Sequence, residues 1–303
     1  MDTGGPSRID ISAVRRFANR AAVRTADTVD VVAREIESRM IERLAMVKLT
    51  PKRILEAGSG RFPAFAPLRA RYRDAEVIAM DIASHAIAAG IRERTLAERV
   101  RQLFTSSRTH AVCGDFSRLP IAPGSIDFIW SNLALGARTE DGLFDEWHRV
   151  LATGGLVMFS AFGPDTLMEL RAAFAVSGEP ARVHTFVDMH DLGDQLVGAG
   201  FADPVMEMER LTLTYASVEQ LFADLRDTGQ ANAIAVRRRG LTGKAGWRAA
   251  LDRLEAMRRD GRLPVTVEVV YGHAWKTVPK KTADGSAIMR FHASAPGATR
   301  GGG

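Results

Sequence analysis

The sequence predicts an α/β fold: a doubly wound sheet of seven strands, preceded by helices and interrupted by a helical insertion before its last strand. Three observations carry this expectation. Short apolar runs alternate with helical stretches between residues 53 and 161, the rhythm of a parallel sheet covered on both faces. A glycine pair, Gly58-Ser59-Gly60, follows the first of these runs directly. Asp81 and Asp115 then stand at the ends of the next two.

Taken in order, a first helix is expected around 9–24. Between 30 and 48, Ile36, Met40, Leu44 and Val47 recur every three or four residues, which puts an apolar stripe along one face of a second helix. Strands are expected at 53–57, 77–82, 111–113, 126–131 and 156–161, with helices near 62–72, 84–104 and 141–151. Gly154-Gly155 reads as the turn between the last of these helices and its strand. Helices near 165–176 and 188–199 follow, the second ended by Gly198 and Gly200. Residues 205–215 alternate as a strand. Val218, Leu221, Phe222 and Leu225 form one helical stripe; Trp247, Leu251, Leu254 and Met257 form another. The Gly- and Arg-rich stretch 229–245 between them reads as a mobile loop. Residues 265–275, after Pro264, make the last strand. The expected organisation is an N-terminal helical segment (1–48), an α/β core (49–215), a helical cap insertion (216–264), a last strand completing the core (265–292) and a frayed tail (293–303).

Composition excludes several classes. Of 303 residues, 46% are hydrophobic and 25% charged, as in ordinary globular chains and unlike disordered ones. No run approaches the length of a membrane span. Residues Met1 to Pro6 lack the basic and apolar segments of a signal peptide, so a cytoplasmic protein is expected. The single cysteine, Cys113, excludes an intrachain disulfide and a cysteine-rich metal site. It reads as a small buried residue. The net charge of +5 is local: residues 216–264 hold ten basic and six acidic residues, and 276–303 hold five and one. No aromatic residues interleave with the basic run Arg237-Arg238-Arg239, so nucleic acid is not the expected partner.

The chemistry concentrates in Ile54-Leu55-Glu56-Ala57-Gly58-Ser59-Gly60-Arg61-Phe62. Glycines at a strand-to-helix turn let the backbone approach a ligand and adopt positive φ. The following helix aims free N–H groups at that ligand. In open α/β sheets the crevice at the carboxyl ends of the strands is where ligands bind. Asp81, with Ile82, is placed to take two ribose hydroxyls. Asp115, with Phe116, follows Cys113-Gly114 and is placed to accept from an adenine amino group. Ser131-Asn132-Leu133 closes the fourth strand. Four strand ends thus converge on one pocket. Position 63 is Pro63, so the third glycine of a dinucleotide fingerprint is missing.

The succession Glu56-x-Gly58-x-Gly60, Asp81, Gly114-Asp115, Asp127-Phe128-Ile129-Trp130-Ser131-Asn132 and Val150-Leu151 with Gly154-Gly155 resembles class I S-adenosylmethionine (SAM) methyltransferases, which have a Rossmann-like seven-stranded sheet. Further motifs narrow the resemblance: Phe144-Asp145-Glu146-Trp147-His148-Arg149, Gly163-Pro164-Asp165-Thr166-Leu167, Phe186-Val187-Asp188-Met189-His190, Leu211-Thr212-Leu213-Thr214-Tyr215 and Tyr271-Gly272-His273-Ala274-Trp275-Lys276. Across roughly residues 12–290 the chain resembles the malonyl-acyl-carrier-protein O-methyltransferase family of biotin synthesis. The resemblance implies methyl transfer from SAM to the free carboxylate of a malonyl thioester, without a metal. It implies a cofactor site of Glu56, Gly58, Ser59, Gly60, Asp81, Ile82, Asp115, Phe116, Asn132 and Leu133. Substrate contacts are expected from His190, Tyr215 and Arg171. The basic insertion, with Arg237 to Arg239 and Lys244, would cap the substrate site and suit an acidic acyl carrier protein.

The chain departs from the family pattern at four places. Ser59 stands where the family has Cys, and Phe62 where it has Gly. Ala26-Asp27 replaces a Tyr-Asp pair, and Gly136-Ala137 replaces His or Gln followed by Trp. These changes leave two alternatives open: a methyltransferase-like binding or assembly protein without the reaction, and methyl transfer to another small molecule.

Overall fold

The computed structural model describes residues 9–24, 31–61, 65–93, 109–135, 142–175, 182–237, 240 and 243–278. The expectations for Ala26-Asp27, Phe62, Gly136-Ala137, Arg238, Arg239 and the tail lie outside the described residues. Helices α1 (Ile11–Arg24) and α2 (Val31–Ala45) precede an alternating series: β1 (Arg53–Ala57), α3 (Phe65–Arg71), β2 (Glu76–Asp81), α4 (Ser84–Glu93), β3 (Thr109–Cys113), β4 (Ile126–Ser131), α5 (Leu143–Val150) and β5 (Leu151–Phe162). Then come α6 (Met168–Ala175), α7 (Met189–Gly198), β6 (Ala202–Tyr215), α8 (Val218–Asp227), α9 (Lys244–Glu255) and β7 (Leu263–Trp275).

The sheet order is β3-β2-β1-β4-β5-β7-β6. Strands β1 to β5 pair in parallel. β7 runs antiparallel between β5 and β6. The order reverses between β1 and β4, which opens a crevice at their carboxyl ends. Interior strands are buried on both faces, so they read as unbroken apolar runs: residues 54–57 of β1 are all buried. The edge strand β6 alternates between exposed and half-buried residues instead.

Successive strand residues point to opposite faces, and two cores result. Leu55, Ile129 and Phe159 pack with Trp147 of α5 and Leu192 and Leu196 of α7 on one side. Ile54, Phe128, Trp130 and Met158 pack with Ile36, Met40 and Leu44 of α2 on the other. Each of the three α2 side chains is fully buried, worth about 1.5–3 kcal/mol apiece in removed apolar surface. Glu37 lies in the same buried stripe, and burial pushes its carboxyl up to about 7 against the opposing pull of Arg34. A third cluster joins α6, α8 and α9 to the start of β7 through Leu170, Phe174, Val218, Leu221, Ala250, Leu254 and Val265.

Three expectations are corrected. Gly154-Gly155 is not a turn before the strand: α5 ends at Val150 and β5 begins at Leu151. The glycines form a bulge within β5, where pairing steps from Ile126↔Leu151 to Phe128↔Leu156 and Gly154 has φ 83. Gly154 N–H donates to the Lys276 carbonyl at 2.7 Å, and Lys276 N–H to the Gly155 carbonyl at 2.9 Å. A bulge uses the same positive φ as a turn, so the residue type alone did not separate them. Cys113 is exposed rather than buried, because it ends the outermost strand of the sheet. The 229–245 loop is pinned over its described part. Ile9 bridges to Ile234, Asp10 N–H donates to the Ala233 carbonyl at 2.8 Å, and Arg237 pairs with Asp10 at 3.0 Å. Among the described residues no helix is long and apolar enough to cross a membrane.

Candidate active site

The glycine turn leaves β1 with Gly58 at φ +77 and Gly60 at φ +52. Both Gly58 and Ser59 donate their N–H groups to the Met80 carbonyl, at 2.8 and 2.9 Å, which ties this turn to the end of β2. The Asp81 carboxylate accepts from Gly60 N–H at 2.9 Å and from Ala83 N–H at 2.7 Å. Its backbone carbonyl accepts from Gly114 N–H at 2.9 Å. One residue therefore organises three strand ends. Asp115 accepts through one oxygen from both Ser117 N–H (3.0 Å) and Ser117 Oγ (2.9 Å), an Asx-type turn. Phe116 is buried behind it, its carbonyl accepting from Trp147 Nε1 at 3.0 Å.

The two glycines serve different ends. A Cβ at Gly58 would lie 2.0 Å from the Ala134 Cβ, so the loop after β4 presses directly on the turn. Among the described residues a Cβ at Gly60 would meet nothing within 4 Å.

At the end of β4, Asn132 is fixed from two sides. Its Nδ2 donates to the Ala33 carbonyl of α2 at 2.8 Å, and its Oδ1 accepts from Ser160 Oγ of β5 at 2.7 Å. Ser160 Oγ also accepts from Leu133 N–H at 2.9 Å, holding Leu133 at the left-handed φ of 53, which branched side chains seldom adopt. Among the described residues, Ser59 Oγ and Ser131 Oγ are buried without a hydrogen-bond partner. Such atoms are rare in native interiors. These two stand at the ends of β1 and β4, the strands that flank the crevice. Buried Glu56, the backbone at Gly60 and the Asp81 carboxylate complete a set that fits a polar nucleotide-type cofactor.

Beyond Leu133 opens a cavity of about 680 Å³, within the usual size for small-molecule sites. One wall includes Val32, Leu133, Phe162 and Phe186; another includes Tyr215 at the end of β6, Phe222 of α8 and Trp247 of α9. Of the ten residues expected to hold a cofactor, only Leu133 lines it. The cavity is thus a second compartment, reached from the Asn132–Leu133 end of the crevice. Tyr215 lines it and donates its hydroxyl to Asp224 at 2.7 Å, joining the end of β6 to α8.

The other two expected substrate residues lie elsewhere. His190 is exposed, and its N–H donates to the Asp188 side chain at 2.8 Å. The motif around it is a helix N-cap. Arg171 donates to the carbonyls of His184 (2.6 Å), Thr166 (3.1 Å) and Pro164. Its guanidinium is spent pinning two chain segments and does not line the cavity. His273 stands apart as well, in a small cleft with Arg43 and Glu207. Among the described residues no three His, Cys, Asp or Glu side chains are grouped to hold a metal ion.

Sequence reasoning missed His184. It lines the cavity, and its Nε2 accepts from Ala233 N–H at 2.8 Å. That bond places the ring proton on Nδ1. Burial first, then nearby Arg237, pushes its pKa down to about 4, so a neutral ring forms part of the wall. Its signal was faint: it lies in an irregular segment with no periodicity to assign it a side.

The comparisons with known proteins agree with this geometry. A methyltransferase-domain family model matches residues 55–159, from β1 into β5. The solved YcgJ protein of Bacillus subtilis superposes with a TM-score of 0.54 at 12% identity, over 81% of this chain and 99% of that one. The [4+2]-cyclase SpnF superposes at 0.52 with 17% identity, over 91% and 100%. These likenesses concern the fold alone, and a cyclase among them shows that this fold serves more than one reaction. Sequence relatives are more specific. The malonyl-[acyl-carrier protein] O-methyltransferase of Laribacter hongkongensis is 46% identical over 294 residues, 95% of this chain and 97% of the relative. That of Gallionella capsiferriformans is 46% identical over 93% and 96%, and one from Coxiella burnetii 39% over 93% and 94%. With likeness of this degree spanning both the α/β core and the cap, the chain belongs to the malonyl-[acyl-carrier protein] O-methyltransferase family.

Proposed function

We propose that this chain transfers the methyl group of SAM to the free carboxylate of a malonyl thioester carried on an acyl carrier protein. The observation that carries this reading is the apolar cavity between core and cap, which meets the crevice at Leu133. When bound, SAM supplies an electrophilic methyl group on a sulfonium. Gly58, Ser59 and Gly60 would hold it by backbone contact, Asp81 and Ile82 at the ribose, Asp115 and Phe116 at the adenine, and Glu56, Asn132 and Leu133 at the end nearest the acceptor.

The acceptor needs no base, because a carboxylate is already ionised near pH 7. What the chain must supply is alignment and exclusion of water. Leu133, Phe162 and Phe186 give the acceptor compartment an apolar wall, which strips hydration from the attacking oxygen. Val31 and Val32 of α2 close the same wall. Neutral His184 adds a polar edge without a charge that would compete for the carboxylate.

Calorimetric titration with SAM, followed by mass spectrometry of malonyl carrier protein incubated with both, tests the reading. Binding and the mass gain of one methyl ester are expected. No binding at millimolar SAM overturns methyl transfer altogether. Binding without ester formation on the malonyl group replaces this acceptor with another.

A further inference from the structure

We infer that the first two turns of α9, with the cavity rim beside them, form the docking surface for an acidic carrier protein. The inference rests on the reading above that the acceptor arrives on such a carrier. Trp247 marks the place where the cavity reaches the surface. It is 37% exposed, yet it lines the cavity and packs on Phe222 (5.4 Å between ring centroids) and Phe174 (5.8 Å).

Lys244 and Arg248 flank Trp247 on α9. They are four residues apart and so share a helix face. Both are exposed, and among the described residues neither has an ion-pair partner. The first turn of α9 holds no acidic residue to offset Lys244, so the charge works against the helix dipole. α5 shows the favourable arrangement, with Asp145 and Glu146 in its first turn and His148 and Arg149 in its last. Helix stability therefore does not account for the cations on α9. Arg226, exposed, and Arg182, whose guanidinium stands 5.8 Å from the Phe174 ring, line the same cavity.

Two nearby acids are engaged elsewhere, and Asp252, one turn beyond Arg248 on the same exposed face of α9, forms no ion pair with it. Asp224 is engaged by Tyr215, and Glu255, on a later turn of α9, is paired with Arg258. Asp227 is the further acid in the cavity lining. Arg237 adds little to this rim, since its half-buried guanidinium is paired with Asp10 at 3.0 Å.

An acidic protein matches this rim. Its charge is steered toward the cations, and an exposed tryptophan supplies an anchor. The slender acyl-bearing arm then enters an apolar bore, while the folded carrier stays outside. A nucleic acid fits less well, because among the described residues the rim offers one exposed aromatic ring and no spaced series on which bases could stack.

The test uses the full chain and two acceptors: malonyl carrier protein, and malonyl-pantetheine, which brings the thioester without the protein. Lys244→Glu and Arg248→Glu together are expected to raise KM for the carrier about tenfold or more and to flatten its salt dependence, with kcat unchanged. Kinetics with malonyl-pantetheine stay at the wild-type level. The single alanine variants move KM for the carrier by about two- to threefold each. Arg253→Glu, exposed on the opposite side of α9, changes neither acceptor. An unchanged KM for the carrier overturns the docking surface, as does an equal rise for both acceptors. If the wild-type chain uses malonyl-pantetheine as well as it uses the carrier, docking falls and methyl transfer stands. If it methylates neither, both fall.

Discussion

The buried hydroxyl of Ser160 donates to the side-chain oxygen of Asn132 at 2.7 Å while accepting from Leu133 N–H at 2.9 Å. One atom on β5 thus sets both the amide orientation of Asn132 and the left-handed backbone of Leu133. These are the two residues at the junction of crevice and cavity. Ser160→Ala is expected to lower kcat for methyl transfer roughly tenfold or more through misalignment. It should cost about 1–2 kcal/mol of stability from the lost bonds. Ser160→Cys, with a weak donor, recovers part of the rate. A kcat equal to wild type in the alanine variant would show that the junction does not depend on this bond.

The glycines of the turn should separate in a denaturation experiment. Gly60→Ala meets no described residue within 4 Å and pays for its positive φ, about 1–2 kcal/mol. Gly58→Ala pays the same and must also displace Ala134, for a total of about 3 kcal/mol or more. Urea midpoints of the two variants check the order. Equal losses would contradict the close approach of the β4 loop.

Glu37 gives the protein a pH-dependent stability component of its own. Its carboxyl is raised from 4.5 to about 7 by burial. Below about pH 4.5 it is protonated in both folded and unfolded chains. Above about 7 it is ionised in both, and the folded chain bears the desolvation cost. Its contribution therefore falls as pH rises through this window. Glu37→Gln is expected to raise the melting temperature at pH 8, by an amount equivalent to about 1–2 kcal/mol, and to change little at pH 4.5. Equal shifts at both pH values count against the assignment.

Arg171 and His190 should both act on structure rather than on the acceptor, and to very different extents. Arg171→Lys cannot span three carbonyls with one ammonium and is expected to lose about 2–3 kcal/mol. His190→Ala keeps the N–H that completes the cap and is expected to cost under about 0.5 kcal/mol, with methyl transfer unchanged. A large activity loss in His190→Ala would restore it to the acceptor site.

The extent to which this molecule is legible in its sequence varies with the kind of signal. The strands around the crevice announce themselves, because burial on both faces demands unbroken apolar runs such as Ile54-Leu55 and Phe128-Ile129-Trp130. Asp81 was visible by its place at a strand end. Its grip on Gly60 and Ala83 was not, since that depends on how two loops fold back. Arg171 and His190 lie off the cavity wall, which their motifs could not show: a polar residue in a motif has no direction until its helix has a rotation. His184 had the opposite fault, with a clear role in the cavity wall but no regular element to carry its pattern. The bulge at Gly154-Gly155 hid because a glycine pair signals positive φ without saying whether the chain turns or continues.

The insertion of β7 between β5 and β6 also governs how the chain is made. A nascent chain ending anywhere from 216 to 262 has built β1 to β5 and β6, but lacks the strand that joins them. Until residues 263–275 emerge, the almost wholly buried strand β5 is an open apolar edge, the kind that recruits strands from other chains. Premature termination in the cap should therefore yield aggregates rather than a smaller working enzyme. The cap and the sheet must reach the folded state together.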